Sequence, residues 1–286
     1  MFRAARRCST QPCTSGTKEW LKLFTGGSVS LSKSNSDGLA TICIRNEHRK
    51  NALTGEMMCQ LSAAVDELER WQNGRMLILY GTGGQFCSGG DLSFMRAIAN
   101  PNDGLRMSEF MRNVTRRIAG LPLLSAALIQ GYALGGGAEL AMACDFRVLH
   151  GPDPKLGFKQ TSLGIAPGWG GASLLTLRVG YPLALHALLS GKLFDADELL
   201  RYGLADRNLG PAVSNDESIG RTREFLESFF GSAYVESSRT LKLMAWNAIT
   251  SDNLEIAHKH ESELFAQVWG GSDHLDALNK MFKKSS

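Results

Sequence analysis

An α/β core followed by a helical C-terminal region is the fold class that the 286-residue sequence predicts. Two observations carry it. Up to about Leu149, short apolar runs of high β propensity alternate with segments of helical periodicity, as in strands joined by helical crossovers. From about Gly170 onward only helical patterns remain. With 43% apolar and 8% aromatic residues, the chain can bury one large core.

The elements follow in order. Residues 29–32 and 39–44 read as strands joined through the Ser/Asn/Asp/Gly turn of residues 34–38. Thr54 is a good N-cap, and Met57, Met58, Leu61, Ala64, Val65 and Leu68 form one stripe of a helix running to about Trp71. Residues 76–80 form a buried strand, and 81–90 a glycine-rich loop. A helix over 105–118 is stopped by Leu121-Pro122. Strands are expected at 124–130 and 145–149, with a turn over 131–134 between the first of them and three glycines. Short helices are expected over 172–179, 182–190 and 196–202. Longer ones follow near 218–230, 234–249, 252–267 and 273–282. Residues 1–25 are expected to be a disordered leader or tail.

Composition removes several classes of function. The net charge of +3 and the lack of a long Lys/Arg block argue against a nucleic-acid surface. No apolar run approaches the length of a membrane span. Cys8, Cys13, Cys43, Cys59, Cys87 and Cys144 are scattered, with no C-x-x-C pair, and read as reduced thiols of an intracellular protein. The sequon at Asn113-Val114-Thr115 then reads as chance. Arg3, Arg6 and Arg7 in an acid-free, Ser/Thr-rich N-terminus suit either a mitochondrial leader or a plain cytosolic tail.

Two stretches carry the chemistry. In residues 123–147, LLSAALIQGYALGGGAELAMACDFR, a strand leads into Gly135, Gly136 and Gly137 and then into a helix start carrying Glu139. The first N–H groups of a helix lack internal partners, and the helix dipole makes that end attractive to negative charge. Upstream, the strand 76–80 leads into a second glycine loop that ends in Cys87-Ser88-Gly89-Gly90-Asp91-Leu92. Two such turns, each giving one N–H to the same oxygen, make an oxyanion hole. Competing motifs fail. Phe86 stands where a dinucleotide-binding fingerprint needs glycine, and Gly191-Lys192 continues to Leu193 instead of the Ser/Thr of a P-loop. No G-x-S-x-G or H-x-x-x-H is present, so no serine elbow and no metal site is expected.

The sequence resembles the crotonase (enoyl-CoA hydratase/isomerase) superfamily over about residues 28–270. The resemblance rests on Asn51-Ala52-Leu53, Phe86 through Leu92, Gly131 through Leu140, Cys144-Asp145 and Pro167-Gly168-Trp169-Gly170-Gly171. It implies a ββα spiral core over 26–212 with an acyl-CoA site. It also implies a helical region over 213–286 used for homotrimers or hexamers. The substrate would be an acyl-coenzyme A thioester, with no other cofactor, no nucleic acid and no membrane partner. Gly90 and Gly136 would supply the two N–H groups that polarise the thioester carbonyl. Ser88, Gly89, Asp91, Gln160 and Trp169 would lie at the substrate, Asp91 chiefly as an anchor of its loop. Trp169 would either wall the acyl pocket or pack in the core. Arg49, Lys50 and Ala52 would lie near coenzyme A, and Lys280, Lys283 or Lys284 near its phosphates.

One departure bears on the reaction. Hydratases of this family use two glutamates, one matching Glu139 and one seven residues before the proline of the P-G-x-G-G segment. That second position here is Gln160, and no carboxylate lies between Asp153 and Asp195 to replace it. An amide cannot exchange a proton at neutral pH, which disfavours hydration and isomerisation. Decarboxylation of a malonyl-type thioester needs only the oxyanion hole and one proton donor, for which Glu139 or a water it holds is the candidate. The sequence also resembles the branch of the superfamily that removes CO2 from ethylmalonyl-CoA and, more slowly, methylmalonyl-CoA. Its members act as metabolite proofreaders of fatty-acyl metabolism in the cytosol. The phrases carrying this are Phe24 through Ser28, Ala143 through Arg147 and Val268-Trp269-Gly270-Gly271. The alternatives are an enoyl-CoA hydratase/isomerase and a non-catalytic RNA or protein binder.

Overall fold

A computed structural model describes residues 15–211, 214–231 and 233–284. Six strands pair in chain order in one sheet: β1 (Ser28–Ser34), β2 (Leu39–Arg45), β3 (Met76–Gly81), β4 (Leu124–Leu134), β5 (Phe146–Gly157) and β6 (Arg207–Asn208). The β1–β2 pair is antiparallel and the rest are parallel. Parallel strands are covered on both faces, which is why β3 is apolar at consecutive positions. Leu77 and Leu79 enter the larger core with α2 (Gly55–Glu69) and α4 (Pro101–Ala119). Met76 and Ile78 enter a smaller core on the other face, closed by Leu226 of α9 (Asn215–Glu227).

Local chemistry sets the helix starts. The Thr54 side chain accepts the Met57 N–H at 3.3 Å and caps α2. Asn100 accepts the Asp103 N–H at 3.1 Å and caps α4, which starts four residues before the expected Leu105. On α2, Met57, Met58, Leu61, Val65 and Leu68 are wholly buried, each stabilising the fold by roughly 1.5–3 kcal/mol relative to an exposed position.

Two strands run past their expected ends, and this builds the site. The segment 131–134, expected as a turn, continues β4. Gly131, at φ +50°, sits where the β4–β5 register shifts. Beyond it Tyr132, Ala133 and Leu134 pair with Lys155, Leu156 and Gly157, in a stretch of β5 that Gly151, Pro152 and Pro154 conceal in the sequence. Bridges Leu53–Gly90, Cys87–Ala133 and Leu156–Phe194 complete a second, shorter layer. The chain thus repeats strand, short second strand, helix, and each turn of this ββα spiral brings a helix start to the same region. α3 (Leu92–Ala97), α5 (Gly136–Met142) and α6 (Gly171–Val179) begin there.

The N-terminal expectation is corrected from Ser15 onward. Residues Ser15–Lys22 form α1, and Leu21 is fully buried in the larger core. The readings that involve Arg3, Arg6, Arg7, Cys8 and Cys13 lie outside the described residues. The other four cysteines are free and buried. At the C-terminal side, α7 (Tyr181–Ser190) and α8 (Ala196–Arg201) precede β6, and α10 (Val235–Thr250), α11 (Leu254–Val268) and α12 (Ser272–Lys284) follow α9. The boundary expected at 212/213 assigns α9 to a peripheral region, whereas Leu226 makes it part of the core. Arg239 on α10 donates to the carbonyls of Trp71 (3.1 Å) and Gly74 (2.9 Å), and Lys242 pairs with Asp145. Among the described residues, no helix is long and apolar enough to cross a membrane.

Arg147 of β5 is the largest wholly buried side chain. It donates to the carbonyls of Leu204 (3.1 Å), Cys144 (3.2 Å) and Asp145 (2.9 Å) and pairs with Asp206. Asp206 is partly exposed and water can solvate it, so the cost of Arg147→Ala falls on the stranded carbonyls and the cavity. A loss of about 2–4 kcal/mol is expected in the urea unfolding free energy. A change under about 0.5 kcal/mol would contradict this account.

Candidate active site

Asn51 is wholly buried and organises the first loop. Its Nδ2 donates to the carbonyls of Thr82 (2.8 Å) and Gln85 (2.7 Å), and its Oδ1 accepts the Asn46 N–H at 2.8 Å. Both Lys50 and Asn51 hold left-handed backbone, at φ +51° and +58°. The loop then runs beside β4. Phe86 N–H donates to Gln130 O (2.8 Å), Cys87 N–H to Tyr132 O (3.1 Å), and Leu134 N–H to Cys87 O (2.9 Å).

Past this bridge the N–H groups are used one by one. Ser88 N–H donates to Lys50 O at 3.0 Å, Gly89 N–H to Cys87 Sγ at 3.5 Å, and Asp91 N–H to Leu53 O at 2.9 Å. Gly90 N–H has no acceptor among the described residues. On the second loop, Gly135 N–H donates to Gly157 O at 2.9 Å, and Gly136 N–H, the first of α5, has no acceptor among the described residues. A β-carbon on Gly89 would lie 3.1 Å from Gly136 N, so the loops meet at these two free donors. Gly90 and Gly136 are both partly exposed. Such a pair can stabilise an oxyanion.

Each of the three glycines has its own reason. Gly135 stands at φ +52°, ψ −117°. A β-carbon on Gly136 would lie 2.6–2.8 Å from the Trp169 ring, and one on Gly137 would collide with the Cys87 carbonyl. The Trp169 indole therefore covers Gly136, and its Cζ2 lies 3.7 Å from the β-position of Gly90. Met95 Sδ stands 3.0 Å from that same position. Trp169 Nε1 lies 3.2 Å from Met107 Sδ. Trp169 is thus buried, and its ring lies against Gly136 and beside Gly90.

Behind the glycines, Glu139 is buried on α5. Its Oε2 accepts the N–H groups of Trp169 (2.7 Å) and Gly171 (2.8 Å). Its Oε1 accepts Gln160 Nε2 (2.8 Å) and the Gly168 N–H (3.3 Å). Burial pushes the Glu139 carboxyl above the ordinary glutamate value, and these four donors pull against that shift. All four face an acceptor, so a carboxylic O–H would meet a donor. Glu139, the candidate proton donor directly or through a water it holds, is also the anchor of its surroundings. It fixes the Gln160 amide and the turn that opens α6, whose first turn favours negative charge. The Gln160 Oε1 is buried without a donor among the described residues.

Other expected contacts turn out to be anchors. The Ser88 hydroxyl donates to Arg49 O at 3.1 Å, not to the site. Asp91 caps α3 by accepting the Phe94 N–H at 3.0 Å and pairs with Arg49 at 2.5 Å, as a loop anchor does. Arg49 also donates to Ser93 Oγ at 3.2 Å, so its charge is already engaged. Ala52 is buried, whereas Lys50 is exposed with Nζ 5.9 Å from the Tyr132 ring centre. Lys280 pairs with Asp276 at 2.5 Å. Sequence reasoning missed Ser108 and Thr115. Ser108 Oγ donates to Gly168 O (2.6 Å) and Thr115 Oγ1 to Trp169 O (2.5 Å), holding the Pro167–Gly171 turn on α4. Their signal is a spacing of two helical turns on one face, which hydroxyl side chains rarely announce. Thr115 is buried, in keeping with the sequon being chance. Among the described residues no group of three or more His, Cys, Asp or Glu could hold a metal ion.

The model of the enoyl-CoA hydratase/isomerase family matches residues 34–280. The chain belongs to this family. Enoyl-CoA hydratase from Geobacillus kaustophilus superposes with a TM-score of 0.80 at 27% identity, over 91% of this chain and 95% of that one. The hydratase from Bacillus anthracis gives 0.77 at 27% identity, over 91% and 97%. Among curated proteins, the ethylmalonyl-CoA decarboxylase of Xenopus laevis is 42% identical over 263 residues, 92% of this chain and 86% of that protein. The human ethylmalonyl-CoA decarboxylase is 38% identical, over 93% and 85%. The spiral of strands, the short second layer and the helical C-terminal region are the crotonase fold.

Two predictions follow from this crotonase site. In Glu139→Gln, an amide nitrogen must face one of four N–H donors, and about 2–3 kcal/mol of stability is expected to be lost in chemical denaturation. An unchanged midpoint would refute the four-donor arrangement. For Asp91, burial alone would raise the carboxyl, but the Arg49 guanidinium with the Phe94 and Ser93 N–H groups overrides it and holds the carboxyl below the usual aspartate value. A depressed carboxyl contributes stability above the unfolded value and loses it as pH falls through the folded one. The melting-temperature gap between the parent and Arg49→Ala is therefore expected to be open at pH 7 and to close below about pH 4. A gap independent of pH would contradict the ion pair.

Proposed function

We propose that this chain is a carboxy-lyase that removes CO2 from ethylmalonyl-CoA and, more slowly, from methylmalonyl-CoA. The carrying observation is Gln160, which donates to Glu139 where hydratases of the family hold a second glutamate. The site then has one carboxylate, and that one is saturated with donors. Hydration needs a group that takes a proton from water and another that gives one to carbon, and neither is supplied. Decarboxylation needs neither at the bond-breaking step. The bond between the α-carbon and the carboxylate breaks, CO2 leaves, and the electron pair moves into the thioester as an enolate. The enolate oxygen accepts from Gly90 and Gly136 N–H, each donor lowering the barrier by ~3–4 kcal/mol. A water at the partly exposed glycines then gives a proton to the α-carbon, forming butyryl-CoA, and the hydroxide left behind combines with the released CO2 as bicarbonate. Glu139 acts through position, holding Gln160 and the Trp169 turn.

In this reading Trp169 and Met95 face the alkyl substituent, and their apolar surfaces keep the departing carboxylate poorly solvated. Lys50 is the residue of the Arg49–Ala52 turn left to meet coenzyme A. The reaction uses no cofactor beyond the coenzyme A of its substrate. We assign the role to metabolite proofreading in the cytosol, with the mitochondrion as the alternative. Assembly into homotrimers or hexamers fits the exposed apolar side chains on the last helices, among them Phe265, Trp269, Met281 and Phe282.

The test is incubation of the purified protein with ethylmalonyl-CoA, methylmalonyl-CoA and crotonyl-CoA. CO2 release is expected from the first and, more slowly, from the second. Hydration of crotonyl-CoA without CO2 release would overturn the proposal in favour of a hydratase. No turnover of any thioester would favour a binding protein.

A further inference from the structure

The N-terminal helix α1 precedes residue 34, where the match to the family model begins, yet it touches both elements that hold the Gly90 donor. Gly90 sits in a bridge with Leu53, formed by Leu53 N–H to Gly89 O (2.8 Å) and Asp91 N–H to Leu53 O (2.9 Å). Leu53 leads directly into α2, and Asp91 is the N-cap of α3. Whatever fixes the start of α2 against α3 therefore fixes the direction of the Gly90 N–H.

The segment 16–26 does both. Toward α2, Glu56 N–H donates to Phe24 O at 3.0 Å, and Thr54 Oγ1 donates to Gly26 O at 2.9 Å. Toward α3, the Phe24 ring lies 4.7 Å and the Trp20 ring 6.4 Å from the ring of Phe94, which is itself buried. The far side of Trp20 is closed by the Arg106 guanidinium of α4 at 4.6 Å, and Arg106 Nε donates to Thr17 Oγ1 at 3.0 Å. Aromatic contacts of this kind are directional as well as apolar, so they set an angle and not merely a distance.

We propose that α1 is a strap and that Trp20 and Phe24 are positioning residues for the oxyanion hole. They touch no substrate. They clamp Phe94, which sets α3, which sets the Asp91 cap and the N–H beside it. Removing the clamp leaves the Gly136 donor in place and lets the Gly90 donor drift. The predicted loss is in turnover, not in coenzyme A binding.

The experiment uses the full chain carrying Trp20→Ala, with thermal unfolding to establish that it folds. Two readouts are taken. The first is the infrared carbonyl stretch of bound, isotope-labelled butyryl-CoA, which reports polarisation by the two N–H groups whatever reaction the protein catalyses. The second is decarboxylation of ethylmalonyl-CoA, which rests on the function proposed above. Trp20→Ala is expected to shift the stretch toward its free value and to lower kcat about 10- to 100-fold with KM within a few-fold. Trp20→Phe is expected to restore most of both. If Trp20→Ala does not fold, Phe24→Leu, which keeps apolar volume and loses the ring contact, carries the same expectation. Folded variants with an unchanged stretch overturn the strap. A parent protein that polarises butyryl-CoA but releases no CO2 overturns the proposed activity and leaves the strap standing or falling on the first readout.

Discussion

The structure depends on one short piece of backbone pairing, the bridge between Cys87 and Ala133. Its two bonds, Cys87 N–H to Tyr132 O and Leu134 N–H to Cys87 O, join loops more than 40 residues apart. The bridge uses the N–H of Cys87 and, through its neighbours, those of Ser88, Gly89, Asp91 and Gly135. Where the two loops meet, the N–H of Gly90 on one and of Gly136 on the other are left without an acceptor among the described residues. A glycine at position 137 is the condition for this pairing, because any side chain there meets the Cys87 carbonyl. This pair of free N–H groups is therefore the remainder of a nearly complete hydrogen-bond accounting, since unpaired backbone groups are scarce in a folded chain.

The two sides of the bridge are stabilised differently. On the Gly136 side the restraint is electrostatic. Glu139 gathers three backbone N–H groups and the Gln160 amide, and Ser108 and Thr115 hold the same turn from α4. On the Gly90 side it is a cap and a clamp, with Asp91 holding α3 and the rings of Trp20 in α1 and of Phe24 just after it pressing on Phe94. Trp169 touches both sides at once. A site held by buried hydrogen bonds on one side and ring packing on the other tolerates few independent changes.

Much of this was legible in the sequence where a residue type has a single physical use. Three glycines after a strand and a second glycine loop ending in Asp91 stand where expected, at the starts of α5 and α3, and Gln160 lies against Glu139. The capped start at Thr54 and the apolar stripe of α2 were equally plain. Other features were hidden because their cause is tertiary. The extensions of β4 and β5 contain Gly131, Gly151 and two prolines, which read as turns until the two segments pair with each other. Helix α1 is too short to be stable alone, and Trp20 and Leu21, with Phe24 just beyond its end, hold it only against α2 and α3. Arg49 looks like a free cation in the sequence, and only the fold brings it to Asp91.

The choice of glutamine at position 160 follows from the distance at which it sits. Gln160 Nε2 lies 2.8 Å from Glu139 Oε1. A glutamate there would put two carboxylates in contact, which forces one to keep a proton and makes the pair an acid–base device. Such a device suits a neutral enoyl substrate. A malonyl-type thioester brings a carboxylate of its own. At about 4 Å and an effective dielectric constant near 20, each further negative charge costs about 4 kcal/mol. With glutamine, the Glu139 charge is buried under four donors that turn their positive ends toward it, so in the proposed reaction the entering anion meets no second carboxylate at position 160. On the proposed function, the same amide that removes the second acid–base group of a hydratase makes room for the charge of a malonyl-type substrate.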